Sequence, residues 1–388
     1  MTQSILARLR RVWLTLHLWL GVGLMVALVP LSVSGSLLVW HDALDHSVYA
    51  QRYAVSGPAA SQPASIYAAA TQSAFAGQAD LTQLRLPSKA GDPVVAVGRI
   101  VGPPGANGRP RTLNAWIDPP TGKVLATAEI ASSATMIIHR LHGQLLVPTV
   151  GRKIVGWLGW AMFVSSATGL WLWWPRHANV LKGLRWRRSP STLFNLHHMA
   201  GFWICLPLAA LSITGVYIAF PQTSHALVGA PPPPGPGMGA RPARNDPRFA
   251  PPLAAPHLSV DEAVAAAIAH APGASLASLN LPQQGNAPAW RVEVQPPGAD
   301  PSRTIRIDDA SGEVKGGRDR GQGAGPPRSE GGPDPFSRWV RRLHDGTDMG
   351  LAWRLVITAA GVAPLILSLS GLVMWLRRRG RRLALRHA

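Results

Sequence analysis

The chain has 388 residues, with 38 Lys and Arg against 19 Asp and Glu, and a formal net charge of +19. A charge of this size would suit nucleic acid, but 47% of the residues are hydrophobic, and four long apolar runs contain no Asp, Glu, Lys or Arg. This pattern argues against a nucleic-acid partner and favours a protein of the lipid bilayer. The single cysteine, Cys205, excludes an intramolecular disulfide.

The four apolar runs predict membrane-spanning helices, because about 20 apolar residues are needed to cross the hydrocarbon core. They cover residues 12–40, 154–174, 193–220 and 355–376. The first run is too long for the core of a signal peptide and is followed by no small-residue cleavage site, so we expect it to be retained.

The distribution of positive charge predicts the orientation of the spans. Segments 1–11, 175–192 and 377–388 contain clustered Arg and Lys and no acidic residue. Short basic segments stay on the cytoplasmic side, whereas long loops are translocated largely regardless of charge. Both termini are therefore expected in the cytoplasm and both long loops outside it.

The chain is predicted to consist of eight consecutive regions. These are 1–40, the cytoplasmic N-terminus and first span; 41–138, an α+β domain; 139–174, an outer helix and the second span; 175–192, a basic cytoplasmic loop; 193–221, the third span; 222–340, Pro/Gly-rich linkers and a second α+β domain; 341–376, an outer helix and the fourth span; and 377–388, a basic tail.

The two long loops share one order of predicted elements. In the first, a helix at 65–75 precedes strands at 81–86, 94–100 and 112–117. In the second, Ser259 and Glu262 form a capping-box pattern that begins a helix ending near His270. Strands follow at 275–281, 289–294 and 303–307, and the Pro/Gly-rich stretches 231–256 and 316–335 are predicted linkers.

Two pairs of histidine motifs recur at matched positions in the two halves of the chain. Leu16-His17 with Gly21 returns as Leu196-His197 with Gly201. Arg140-Leu-His142 returns as Arg342-Leu-His344, and an Arg follows each of these histidines by ten residues. The helix ends repeat too, as a Ser-x-Ser/Thr-Gly motif at 32–35, 166–169, 212–215 and 368–371, whose small residues suit close helix contact. The predicted fold is an all-α four-helix transmembrane bundle with two outer α+β domains, built by internal tandem duplication.

The four repeated histidines are the candidate cofactor ligands. Histidine in an apolar span is costly and normally faces the bundle interior. His17 and His197 lie near the cytoplasmic ends of their spans, and His142 and His344 lie just before spans on the other side, so they predict two sites. Two imidazoles on facing helices can hold haem iron axially. Zinc is the alternative metal, but it takes three or four protein ligands, and neither pair has an evident third.

Four further residues belong to the candidate sites. His198 and His139 are alternative ligands, although the repeat favours His197 and His142. Arg152 and Arg354, at matched spacing, could pair with haem propionates or could instead snorkel to the membrane interface.

The combined motifs resemble the PepSY-associated transmembrane family, and the outer domains resemble PepSY domains. The motifs are Leu16-His17 with Gly21, Arg140-Leu-His142-Gly, Thr168-Gly-Leu-Trp-Leu-Trp-Trp-Pro-Arg176, Leu196-His-His-Met-Ala-Gly201 and Leu343-His344-Asp-Gly. Some members of this family are haem-containing ferric-siderophore reductases of the bacterial inner membrane. The resemblance implies a multi-pass inner-membrane protein with periplasmic loops, two haems b and a periplasmic ferric siderophore that is reduced to release Fe(II).

The expected function is therefore electron transfer across the membrane. The chain has no Gly-rich dinucleotide fingerprint after a strand, so electrons are expected from a separate reductase, a reduced flavin or a quinol. Two alternative functions also fit the sequence. The PepSY-like domains could bind or restrain a periplasmic partner without catalysis, or the repeat interface could transport an iron chelate.

Overall fold

Helices build one unit of the chain, and a β-sheet with flanking helices builds the other. The computed structural model describes residues 2–105, 110–174, 189–229, 250–285, 287–297, 302–315 and 335–387. The helical unit comprises Met1–His41, Ile137–Gly235 and Ser329–Ala388, and the sheet unit comprises Asp42–Met136 and Pro236–Arg328. The predicted basic loop at 175–192 and the linkers at 231–256 and 316–335 lie largely outside the described residues.

The described elements are as follows. The α-helices are α1 (Thr2–Gly23), α2 (Met25–Leu38), α3 (His41–Val48), α4 (Ala64–Phe75), α5 (Ala134–Gln144), α6 (Gly151–Trp173), α7 (Thr192–Ala219), α8 (Pro221–Leu227), α9 (Val260–His270), α10 (Pro335–Asp345) and α11 (Gly350–His387). The strands are β1 (Ala79–Arg85), β2 (Val94–Ile100), β3 (Thr112–Ile117), β4 (Val124–Glu129), β5 (Ser275–Asn280), β6 (Ala289–Gln295) and β7 (Arg303–Asp308). Short 3-10 helices cover Ala50–Tyr53 and Ile130–Ser132.

Three helices among the described residues are long and apolar enough to cross a membrane. They are α6, α7 and the Gly350–Leu385 part of α11. A fourth span exists only if α1 and α2 count as one, and these two helices are bent by 68° at their junction.

The prediction of an all-α four-helix transmembrane bundle is therefore wrong for this chain. The first apolar run is a broken helix, because Gly21 and Gly23 weaken helical structure just before the junction at Leu24. Pro30 then removes a further backbone donor within α2. The chain also contains a seven-stranded antiparallel sheet, so it is not all-α.

The sheet has the strand order β4-β3-β2-β1-β5-β6-β7, and every neighbouring pair is antiparallel. Strand β1 from the first long loop pairs with β5 from the second, with Leu84 opposite Leu279. The two segments read from sequence as separate α+β domains thus share one sheet. The physical reason is that β1 and β5 would otherwise be edge strands, each with one row of exposed hydrogen-bonding groups.

Helices α4 and α9 cover one face of this sheet. Buried side chains from the helices and the inward-facing strand positions form one core, which includes Phe75, Leu84 and Trp290. The N-termini of the helices are joined by Ser65, whose backbone N–H and hydroxyl both donate to Asp261. The predicted capping box of α9 is confirmed, and the predicted strands agree with the observed ones to within about two residues.

Small residues allow close approach of helices in the helical unit. Gly156 and Gly159 of α6 lie against α7, where added Cβ atoms would collide with Phe220 and Val216. Between α2 and α11, Ser36 donates a hydrogen bond to the Thr358 carbonyl at 3.1 Å. Close contacts through Gly and Ser are the usual means of packing helices in lipid.

Candidate paired-histidine site

Two histidine pairs are formed within the helical unit. His17 of α1 and His197 of α7 form the α1–α7 pair, with ring centroids 6.3 Å apart and an interplanar angle of 89°. His142 of α5 and His344 of α10 form the α5–α10 pair, with ring centroids 6.1 Å apart and an interplanar angle of 39°. The four histidines that recur in the sequence therefore meet two by two.

In the α1–α7 pair, each ring forms hydrogen bonds with a further helix, which is α6 for His17 and α11 for His197. The Nδ1 atom of His17 lies 3.1 Å from the Ser165 carbonyl oxygen and 3.1 Å from the Thr168 hydroxyl of α6. The Nδ1 atom of His197 lies 2.8 Å from the Ser370 hydroxyl of α11. Because a carbonyl only accepts, the Ser165 contact requires His17 to carry its proton on Nδ1.

In the α5–α10 pair, the same ring atom makes the same kind of contact. The Nδ1 atom of His142 lies 2.8 Å from the Leu31 carbonyl oxygen of α2, so it too carries the proton. The Nδ1 atom of His344 lies 2.9 Å from the Thr214 hydroxyl of α7. When Nδ1 holds the proton, the Nε2 lone pair is available to a metal, and a hydrogen bond from the other nitrogen is the usual support of a metal-bound imidazole.

Burial keeps the α5–α10 imidazoles neutral. Desolvation lowers the pKa of His142, and the nearby His139 lowers it further, although the hydrogen bond to Leu31 opposes the change. Desolvation and the neighbouring His142 lower the pKa of His344 to about 4. A neutral ring is the form that binds a metal.

The ring separation in both pairs fits a metal ion held between two imidazoles. Imidazole nitrogens bind metals at about 2 Å, and each ring centre lies about 1 Å behind its nitrogen, so facing ligands put ring centroids about 6 Å apart. Both observed separations agree with this value. Among the described residues no group of three or more His, Cys, Asp or Glu could hold a metal ion. Two ligands suit haem, which supplies its own equatorial nitrogens, better than they suit zinc.

The alternative ligands lie apart from the ring pairs. His198 is stacked between aromatic rings, 5.6 Å from the Phe194 centroid and 5.9 Å from the Trp173 centroid. His139 is exposed, one turn before His142 on α5. Their sequence neighbours, and not these two residues, make the close histidine pairs.

The two candidate propionate partners have different surroundings. Arg354 donates to the Val39 carbonyl and lies over the Trp40 ring, with its guanidinium carbon 4.5 Å from the ring centroid. Arg152 is exposed at the start of α6. Arg354 is thus held in place within the helical unit, and Arg152 is open to its surroundings.

Sequence reasoning did not identify the support of the histidine rings. Thr168, Thr214 and Ser370 were visible as part of the repeated Ser-x-Ser/Thr-Gly motif, but that motif was interpreted only as a helix-packing feature. The sequence does contain a signal of this support, which is the equal number of motifs and repeated histidines. The chain contains four such motifs and four repeated histidines. In the structure, each motif contacts a different one of these histidines.

The apolar helices and the paired imidazoles define a membrane protein with two histidine-pair sites. The family model of the PepSY-associated TM region matches residues 14–378, and the chain belongs to this family. A comparison with curated proteins finds no match.

Proposed function

We propose that the protein is a haem-containing reductase of the bacterial inner membrane that passes electrons to a ferric siderophore in the periplasm and releases Fe(II). The observation that carries the proposal is the presence of two histidine pairs with nearly equal ring separations of 6.3 and 6.1 Å. One such pair could be a packing contact, whereas two with the same Nδ1 support favour a common ligand.

Each pair would hold one haem b. Bound haem supplies one-electron redox chemistry at its iron. His17 and His197 would hold the iron of one, and His142 and His344 the iron of the other. Arg354, together with Arg152, would pair with propionates near the α5–α10 pair.

The separation of the two pairs supports transfer across the membrane. Helix α7 carries His197 and also Gly215, which contacts His344. These positions are 18 residues apart (215 − 197). At 1.5 Å per residue they are roughly 27 Å apart along the helix, which is close to the thickness of the hydrocarbon core.

The positive charge near the chain ends supports a cytoplasmic location for both termini. Arg8 and Arg10 precede the first apolar run, and Arg377–Arg379 follow the last. In this orientation the α1–α7 pair would be the cytoplasmic one, and the sheet unit would be periplasmic. Each Fe(III) takes one electron, so a two-electron donor, either a quinol or a reduced flavin, would serve two chelates.

Arginines on the face of the sheet opposite α4 and α9 support the proposal that the chelate is negatively charged. Arg85, Arg291 and Arg306 are exposed there, and Arg291 lies directly opposite Arg306 on the neighbouring strand. Like charges placed opposite each other destabilise a sheet. An anionic ligand between them would relieve this repulsion.

Optical spectroscopy of the purified full chain tests the haem proposal. We expect a Soret band and low-spin α and β bands, with two haems per chain. His17→Ala and His344→Ala should each reduce the content to one haem and abolish ferric reduction by membrane vesicles. A colourless wild-type protein, with reduction unchanged in both variants, would contradict the proposal and favour a role in binding a periplasmic partner.

Steady-state reduction of ferric citrate tests the chelate proposal. Arg291→Gln with Arg306→Gln should raise KM about tenfold or more, because each charged hydrogen bond contributes roughly 1.5–3 kcal/mol. The matched control is Arg99→Gln, since Arg99 lies opposite the acidic Asp80, whereas Arg291 and Arg306 lie opposite each other. Equal KM values for the double variant and the control would refute an anion site at this face.

A further inference from the structure

Each paired histidine packs on a glycine of a neighbouring helix. The nearest ring atom in every case is Cε1, and an added Cβ would lie 2.7 Å from it at Gly35, 3.1 Å at Gly169, 3.2 Å at Gly215 and 3.5 Å at Gly371. These glycines close the four Ser-x-Ser/Thr-Gly motifs. The absence of a side chain at each position lets an imidazole approach the backbone of the helix.

The residue before the glycine explains the orientation of the ring. The hydroxyl of Thr214 donates its only hydrogen within its own helix, to the carbonyls of Ala210 at 2.9 Å and Leu211 at 3.0 Å. Its oxygen can then only accept from the Nδ1 of His344. With this direction of the hydroxyl, the proton of His344 is on Nδ1 and Nε2 carries the lone pair.

The same arrangement of ring nitrogen, hydroxyl and backbone carbonyl is present at two other histidines. Ser370 donates to the Leu367 carbonyl at 3.0 Å and so accepts from His197. Thr168 donates to the Ser165 carbonyl at 2.9 Å and so accepts from His17, whose Nδ1 also lies 3.1 Å from that carbonyl. In these cases, as at Thr214, a hydroxyl passes a hydrogen bond from the ring to the helix backbone.

We propose that Thr168, Thr214 and Ser370 are positioning residues that fix the paired histidines in the Nδ1–H form, with Nε2 as the iron-ligating atom. The following glycine admits the ring, and the hydroxyl sets its tautomer and raises its basicity as a ligand. This inference rests on the proposed haem function, but the tautomer itself is a property of the protein chain.

The fourth motif supplies an internal contrast. Ser34 occupies the same position before Gly35, but its hydroxyl donates to the Pro30 and Leu31 carbonyls. His142 bonds to the Leu31 carbonyl directly. Ser34→Ala therefore removes a hydroxyl and its bonds to its own helix while leaving the contact of the histidine in place.

The experiment compares Thr214→Val, Thr214→Ser and Ser34→Ala in the purified full chain with its native haem. Optical redox titration gives the midpoint potential of each haem, and transfer to excess apomyoglobin gives the rate of haem loss. Thr214→Val should raise the potential of the haem on the α5–α10 pair only, because a less basic imidazole stabilises ferric iron less, and should speed its loss about 10–100-fold, the usual cost of removing a supporting hydrogen bond. Thr214→Ser should restore both values, and Ser34→Ala should match the wild type.

A second readout does not need haem. Side-chain ¹⁵N spectra of the haem-free protein report which ring nitrogen carries the proton. We expect the Nδ1–H form for the paired histidines of the wild type. In Thr214→Val, His344 should show a mixture of the Nδ1–H and Nε2–H tautomers. Finding the Nε2–H form in the wild type would overturn the inference whatever the haem content. Equal effects of Thr214→Val and Ser34→Ala would overturn it too, whereas a colourless protein with the Nδ1–H form would contradict the proposed function alone.

Discussion

The two histidine pairs reach the same separation from different supports. The α1–α7 pair joins two long helices, and hydroxyls from α6 and α11 contact both of its rings. The α5–α10 pair joins two 11-residue helices that precede spans, and one of its rings has a backbone carbonyl in place of a hydroxyl. Its rings are also less nearly perpendicular, at 39° against 89°. Ring spacing is thus the property that both sites share, whereas ring angle and support differ.

The largest expected effects come from replacing each proposed ligand by Ala, with the same replacement of the nearby histidine as its control. His197→Ala should remove the haem of the α1–α7 pair, whereas His198→Ala should retain both haems, because His198 stacks on Phe194 and Trp173 and the ring paired with His17 is that of His197. Likewise His142→Ala should remove the other haem and His139→Ala should not. Haem content per chain, about two against about one, is the measurement. Loss of haem in His198→Ala with retention in His197→Ala would reverse the ligand assignment.

An intermediate effect is expected from adding a methyl group beneath one ring. In Gly35→Ala the new Cβ would lie 2.7 Å from Cε1 of His142, so the ring must shift, at a cost of about 1–3 kcal/mol. In Gly371→Ala the corresponding distance is 3.5 Å, an ordinary contact, and His197 should stay in place. The rate of haem loss from each pair measures the difference. A faster loss in Gly371→Ala than in Gly35→Ala would show that packing against glycine does not set the ligand position.

The smallest effects are expected at the two arginines near the α5–α10 pair. Removing a positive charge stabilises ferric haem, so Arg354→Gln and Arg152→Gln should both lower the potential of that haem and leave the other unchanged. Arg354 is held by Val39 and Trp40 and should have the larger effect. For the exposed Arg152 we expect less than about 40 mV, which corresponds to ~1 kcal/mol for one electron. Equal shifts of both haems would indicate a general charge effect in place of a propionate contact.

The sequence by itself determined the local elements of this protein, because these depend on neighbouring residues. Hydrophobic runs without charge marked the spans, strand patterns and turns marked every strand except β4, and Ser259 with Glu262 marked the start of α9. The repeat singled out four histidines from 13 and set His197 ahead of His198.

Only the tertiary structure decided how distant segments combine. The pairing of β1 with β5 joins the two long loops in one sheet, and no local pattern specifies which edge strand meets another. The 68° bend between α1 and α2 turns one apolar run into two helices, because hydropathy measures composition and not direction. The hydrogen bond between His344 and Thr214 joins residues 130 positions apart in the chain. The support of the histidine rings therefore depends on how the helices pack, which no local sequence pattern specifies.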